Sequence, residues 1–184
     1  MQPAQSIKGF TLIELLIVIS VITIITGAVV PSFNTYVDNQ NVKQAQETVK
    51  DDLRSIQNKA LNGELAQTEL GPAGDEKVVY WGVEFTQGSP TYDYFISVNT
   101  STCGAPGDDR RQEISSSIIL PGGSVVRSPD GCVFFSYENG DITETLSGNT
   151  ITVGPDNGEA DVCRRISVSA NGLIKAETGV LCAP

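Results

Sequence analysis

One carboxylate, Glu14, interrupts an apolar run that extends from Phe10 to Val30, and the groups able to do chemistry near it lie just before the run, at Lys8, Gly9 and the backbone nitrogen of Phe10. As a helix the run would span roughly 31 Å, about the hydrocarbon core of a bilayer. A carboxylate in hydrocarbon costs about 2.5–3.5 kcal/mol at a helix centre, less near an end, and therefore calls for a partner. No Lys, Arg or His lies within the run. A cut after Gly9 would supply a cation, the new amine of Phe10, one helical turn before Glu14. A single chain closes that pair poorly, because both groups sit at the same helix end. A neighbour displaced along the axis by about one turn brings its Phe10 amine alongside Glu14, so the spacing predicts an ion pair between subunits.

A secretory signal has a shorter apolar region and is cut after it, beside small residues. Here the small residue, Gly9, comes first. Removing the polar stretch MQPAQSIKG, residues 1–9, would leave the apolar helix, residues 10–30, on the mature chain as an anchor.

The string Lys8-Gly9-Phe10-Thr11-Leu12-Ile13-Glu14-Leu15 resembles the class III leader and cleavage site of type IV prepilins, with the glutamate at the fifth mature position. Pro31 falls where that family commonly carries a helix-breaking proline. The resemblance implies cleavage between Gly9 and Phe10 by a membrane aspartic prepilin peptidase, N-methylation of Phe10, and assembly through Phe10, Glu14 and Pro31. The implied partners are other pilin or pseudopilin subunits, the peptidase and methylase, an inner-membrane assembly platform and the membrane itself. The implied location is the cytoplasmic membrane, crossed once with the C-terminal domain outside, and then a pilus or pseudopilus. The bland alternative is a plain single-pass anchor with a tolerated glutamate.

Composition narrows the function classes. The 184 residues contain no histidine, which removes Ser–His and Cys–His nucleophiles and the commonest metal-ligand nitrogen. The formal charge of −10 repels phosphate backbones, so no nucleic-acid partner is expected. Four cysteines, Cys103, Cys132, Cys163 and Cys182, all follow the apolar run, and an even number in an exported region reads as disulfides.

The elements that must carry the N-terminal site are legible in the periodicity. Val42, Ala45, Val49, Leu53, Ile56 and Ala60 recur at helical spacing, so residues 31–63 read as an amphipathic second half of one long helix, stopped by Gly63. Residues 64–184 read as a β-rich exported domain. Its first hairpin joins KVVYWGVEF to YDYFISVN, Asn139-Gly140 carries a type I′ signal, and Asn171-Gly172 marks a final hairpin. A two-residue turn at the last site would set Ala170 opposite Leu173 and Cys163 opposite Val180, close to Cys182. That favours Cys163 with Cys182 and leaves Cys103 with Cys132, among the three pairings four cysteines allow. The expected fold is α+β: a pilin-like long N-terminal helix, its first half transmembrane, packed on a C-terminal antiparallel sheet. The segments ETVKDDLRSIQNKALNGE, YWGVEF and RRISVSANGLIK are similar to the H-type pseudopilin and FimT group, which implies a minor subunit.

Other candidates each have a bland counterpart. Asp156, Glu159 and Asp161, with Asn157, could hold Ca²⁺, but the loop lacks an alternating D-x-D-x-D-G order and reads as a solvated turn; no other cofactor is expected. Arg110, Arg111, Arg164 and Arg165 could touch DNA in a competence subunit, but paired surface salt bridges are the expectation. Tyr80, Trp81, Tyr92 and Tyr94 could stack on a ligand, but on alternating strands they read as packing. A DNA-binding or adhesive tip subunit is the competing function; an enzyme is not expected.

Overall fold

The computed structural model describes residues 10–100, 103, 107–114, 118–144, 146, 149–156, 163–180 and 182, without the side chains of residues 28–32, 34, 35, 144 and 178–180. The chain divides into two compact units, Met1–Val37 and Asp38–Pro184.

Helix α1 (Leu12–Leu61) begins in the first unit. Thr11 is its N-cap residue: its Oγ1 accepts the Glu14 N–H at 3.3 Å and its carbonyl accepts the Leu15 N–H. Further along, the hydroxyls of Ser20, Thr23 and Thr26 donate to the carbonyls of Leu16, Ile19 and Ile22 at 2.7–2.8 Å. These polar atoms are thereby satisfied inside the helix, and the surface of the run stays apolar. Its large apolar side chains are open, from 82% exposed at Leu12 down to 46% at Val18.

In the second unit the same helix is amphipathic in the expected register. Val42, Ala45, Val49, Leu53, Ile56 and Ala60 are each at most 1% exposed and form one core with residues of two sheets. The helix stops in a Schellman motif: Gly63 takes φ +68°, Glu64 N–H reaches the Lys59 carbonyl and Gly63 N–H the Ala60 carbonyl. Trp81 Nε1 and the Tyr137 hydroxyl both donate to the Glu64 carbonyl, and Lys59 Nζ lies 5.1 Å from the Trp81 ring centroid.

Twelve short strands follow among the described residues: β1 (Glu69–Leu70), β2 (Glu76–Lys77), β3 (Tyr80–Phe85), β4 (Thr91–Ser97), β5 (Arg111–Glu113), β6 (Ile118–Ile119), β7 (Ser124–Val126), β8 (Gly131–Ser136), β9 (Ile142–Glu144), β10 (Thr150–Pro155), β11 (Cys163–Val168) and β12 (Ile174–Val180). The fold is α+β as expected, but the strands form more than one sheet. A larger sheet runs β5-β4-β3-β8-β9 with β6 also on β4, a second runs β12-β11-β10-β7, and β1 pairs with β2 alone. All pairings are antiparallel. Strand β7 sits in sequence between two strands of the larger sheet yet pairs with β10. Alternation along a strand sets its faces and says nothing of its partner.

Two turns differ from expectation. Asn139-Gly140 does not form a two-residue type I′ turn: Phe135 opposes Ile142 and the Ser136 N–H reaches the Asp141 carbonyl, leaving a four-residue loop, Tyr137–Gly140. Only the glycine takes a positive φ. Asn139 is held otherwise, its Oδ1 accepting the Asp141 N–H and its Nδ2 donating to the Asp141 carboxylate. At the last hairpin Ser169 N–H bonds to Leu173 O, giving a three-residue loop with Gly172 at φ +83°, and Val168 opposes Ile174. The expected register is therefore off by one over Arg165–Val168. A bulge between Cys163 and Arg165 absorbs the extra residue and sets Cys163 opposite Val180.

The far face of the larger sheet carries its own small cluster, Phe95, Phe134 and Cys132, with Tyr80 and Cys103 against it. Gly82 makes room for it, since a Cβ there would overlap the Phe95 ring.

Candidate functional site

The site with most chemistry in the sequence is the start of α1. Phe10 is 86% exposed, and Glu14 is exposed in the first helical turn. Gly9, the expected cleavage residue, lies outside the described residues; the backbone at Pro31 is helical and its side chain lies outside them. The structure adds a feature that the reading of Glu14 as an isolated charge missed. Thr11 and Glu14 have the spacing of a capping box, and Thr11 makes its half of it. Threonine three residues before the glutamate was the available signal. Glu14 thus occupies a position where a negative charge already favours the helix, opposite the partial positive charge of the first-turn N–H groups. An amine at Phe10 would add to that field one turn below the carboxylate.

The cysteines pair as Cys103–Cys132 and Cys163–Cys182, with Cα separations of 5.7 and 5.0 Å. The first ties the segment after β4 to the far face of the larger sheet. The second ties the residues after β12 to the start of β11. Glu84 places a carboxylate oxygen within 4.8 Å of the sulfurs of Cys103 and Cys132, but those sulfurs are bonded to each other and offer no thiolate.

Of the acidic loop, Asp156 is exposed and its carbonyl accepts from Arg127, while Asn157, Glu159 and Asp161 lie outside the described residues. The arginines divide. Arg110 pairs with Glu76 at 3.3 Å on the surface, as expected. Arg111 is a correction: its side chain is only 2% exposed, it pairs with Glu84 at 2.5 Å, and its guanidinium stands 4.0 Å over the Phe95 ring. The adjacent aromatic cluster and the sheet edge bury it. Arg164 and Arg165, half-buried on β11, have no ion pair among the described residues.

Trp81 and Tyr92 are fully buried and Tyr80 and Tyr94 half-buried. Tyr92 stacks on Phe85 and donates its hydroxyl to Asp52 of the helix at 2.5 Å. Burial and then the bond to Asp52 push the Tyr92 and Tyr94 hydroxyls well above the ordinary tyrosine range. Tyr137 is raised too, by burial and then by the charge of Glu64. Tyr92 thus joins helix to sheet, while Tyr80 packs edge-on against Phe134 on the far face of the larger sheet.

The family described as the prokaryotic N-terminal methylation motif matches residues 5–30, which supports a class III prepilin-like leader on a pilin-like subunit. No curated protein and no solved structure matches the chain. Among the described residues no helix is long and apolar enough to cross a membrane. The described side chains of the expected span, residues 10–30, run from Phe10 to Gly27, and the span extends beyond them.

Proposed function

We propose that this chain is a minor structural subunit of a type IV pilus or a type II secretion pseudopilus. The observation that carries the proposal is the methylation-motif match over residues 5–30, which takes in the capped start of a helix whose apolar side chains are open. The α+β architecture, a long helix on antiparallel sheets, fits the same role.

In this reading the membrane stores the subunit, and the peptidase cuts between Gly9 and Phe10. The exposed amine then pairs with Glu14 of a neighbouring subunit shifted by about one turn. Burial of the apolar helices against one another supplies most of the cohesion, and the ion pair selects the register. The minor assignment rests on the similarity of the second half of the helix, β3 and the last hairpin to the H-type and FimT group.

The test is Glu14→Ala in the native host, scoring cleavage, insertion and incorporation into filaments separately. Normal cleavage and insertion with poor incorporation are expected. Incorporation at the level of the unaltered chain would refute the pairing. Thr11→Ala removes the cap while keeping the charge, and so separates loss of helix start from loss of the pair.

A further inference from the structure

Phe33 and Tyr36 are exposed aromatic side chains of α1 that the proposed assembly chemistry does not use. They lie three residues apart, hence on one face of α1, and are 61% and 60% exposed. Three observations say what covers them. First, no charged residue occurs between Glu14 and Asp38, so both aromatics belong to the uncharged part of the chain. Second, Phe33 lies about 32 Å from Leu12 along the helix, at about 1.5 Å per residue, which matches a hydrocarbon core of about 30 Å. Third, the sequence around them, Ser32, Asn34 and Thr35, is polar, unlike the aliphatic run before it, and the helix face buried by the sheets begins only at Val42.

Aromatic rings among polar neighbours at that distance from the other helix end have the composition of a membrane–water interface, where tyrosine keeps its ring in the acyl boundary and its hydroxyl in water. We infer that Phe33 and Tyr36 form an interfacial clamp that seats the helix at the outer headgroup layer of the bilayer. This rests on the proposed membrane-anchored subunit and adds a depth stop to it. The clamp would hold the helix so that the charge at Glu14 lies near the opposite headgroups, where its cost is lowest.

The probe is the full-length chain carrying Phe33→Trp, reconstituted in phosphatidylcholine vesicles whose acyl chains are brominated either near the headgroup or near the bilayer midplane. The native Trp81 is fully buried among protein groups and serves as an internal unquenched reference. Tyr36→Trp provides a second probe should the first variant fail to fold. Resistance to carbonate extraction is scored on the same samples. The expected result is retention in the vesicles, with loss of indole fluorescence greater for the shallow bromines than for the deep ones. Retention without shallow quenching, or with greater deep quenching, overturns the clamp and leaves the anchor standing; the first of these outcomes, with crosslinking between chains at the same position, would assign the face to a second copy. Release by carbonate overturns the anchor and the clamp together.

Discussion

The side-chain amide of Gln46 donates to the Arg165 carbonyl at 2.7 Å, and the same nitrogen reaches the Glu177 carbonyl at 2.8 Å. Gln46 is 1% exposed and lies within the apolar stripe of the helix, four residues after Val42. It meets β11 and β12 where the bulge between Cys163 and Arg165 breaks their regular ladder. One buried glutamine therefore serves a carbonyl on each of the two strands beside the bulge. Arg54 reaches the Ile174 carbonyl and Gln57 that of Gly172, so polar side chains of α1 stitch the helix to the last hairpin at three levels.

Gln46→Leu keeps the volume and the stripe but removes the donor. The expected cost is about 1–3 kcal/mol, the usual penalty for stranding buried polar groups. Urea unfolding of the intact chain in detergent would measure it; an unchanged midpoint would show that the bulge carbonyls find other donors.

Gly82 is required by the ring of Phe95 rather than by its own backbone, since its φ is not among the positive values. Gly82→Ala is expected to destabilise by about 1–3 kcal/mol through overpacking. Gly82→Ala combined with Phe95→Leu should recover part of that loss. Thermal unfolding of the two variants decides whether the clash acts through this ring.

Stability should fall at high pH. Tyr92, Tyr94 and Tyr137 have hydroxyls raised above the ordinary value by burial first, so in the unfolded chain they ionise near pH 10 while in the fold they stay protonated. Their contribution is fully present below about pH 10 and is lost as pH rises beyond it. Denaturant midpoints recorded on both sides of pH 10 would test this, and Tyr92→Phe should flatten the decline.

How much was legible follows from the kind of signal each residue carries. The stripe from Val42 to Ala60 is a period, and every member is buried in the predicted face. Gln46 shares that spacing, but its polar type hides it from an apolar pattern. The division of strands between sheets had no local signal, as β7 shows. The turns failed by one or two residues because asparagine before glycine can satisfy the chain through its side chain, as Asn139 does, without adopting a left-handed backbone. At the N-terminus the charge of Glu14 is conspicuous, while Thr11, which turns the same four residues into a helix cap, carries no such mark.

Cleavage should depend on size at Gly9. Gly9→Val is expected to slow or block processing, since a side chain there would crowd the protease pocket, and to leave the chain longer by the leader on a denaturing gel. Normal maturation of that variant would move the cut elsewhere.

The most direct measurement is mass spectrometry of the N-terminal peptide from membrane and sheared surface fractions of the native cell. The account predicts a peptide beginning at Phe10 with a methylated amine. An intact Met1, or a first residue beyond Val30, would contradict it and remove the basis for the role of Glu14.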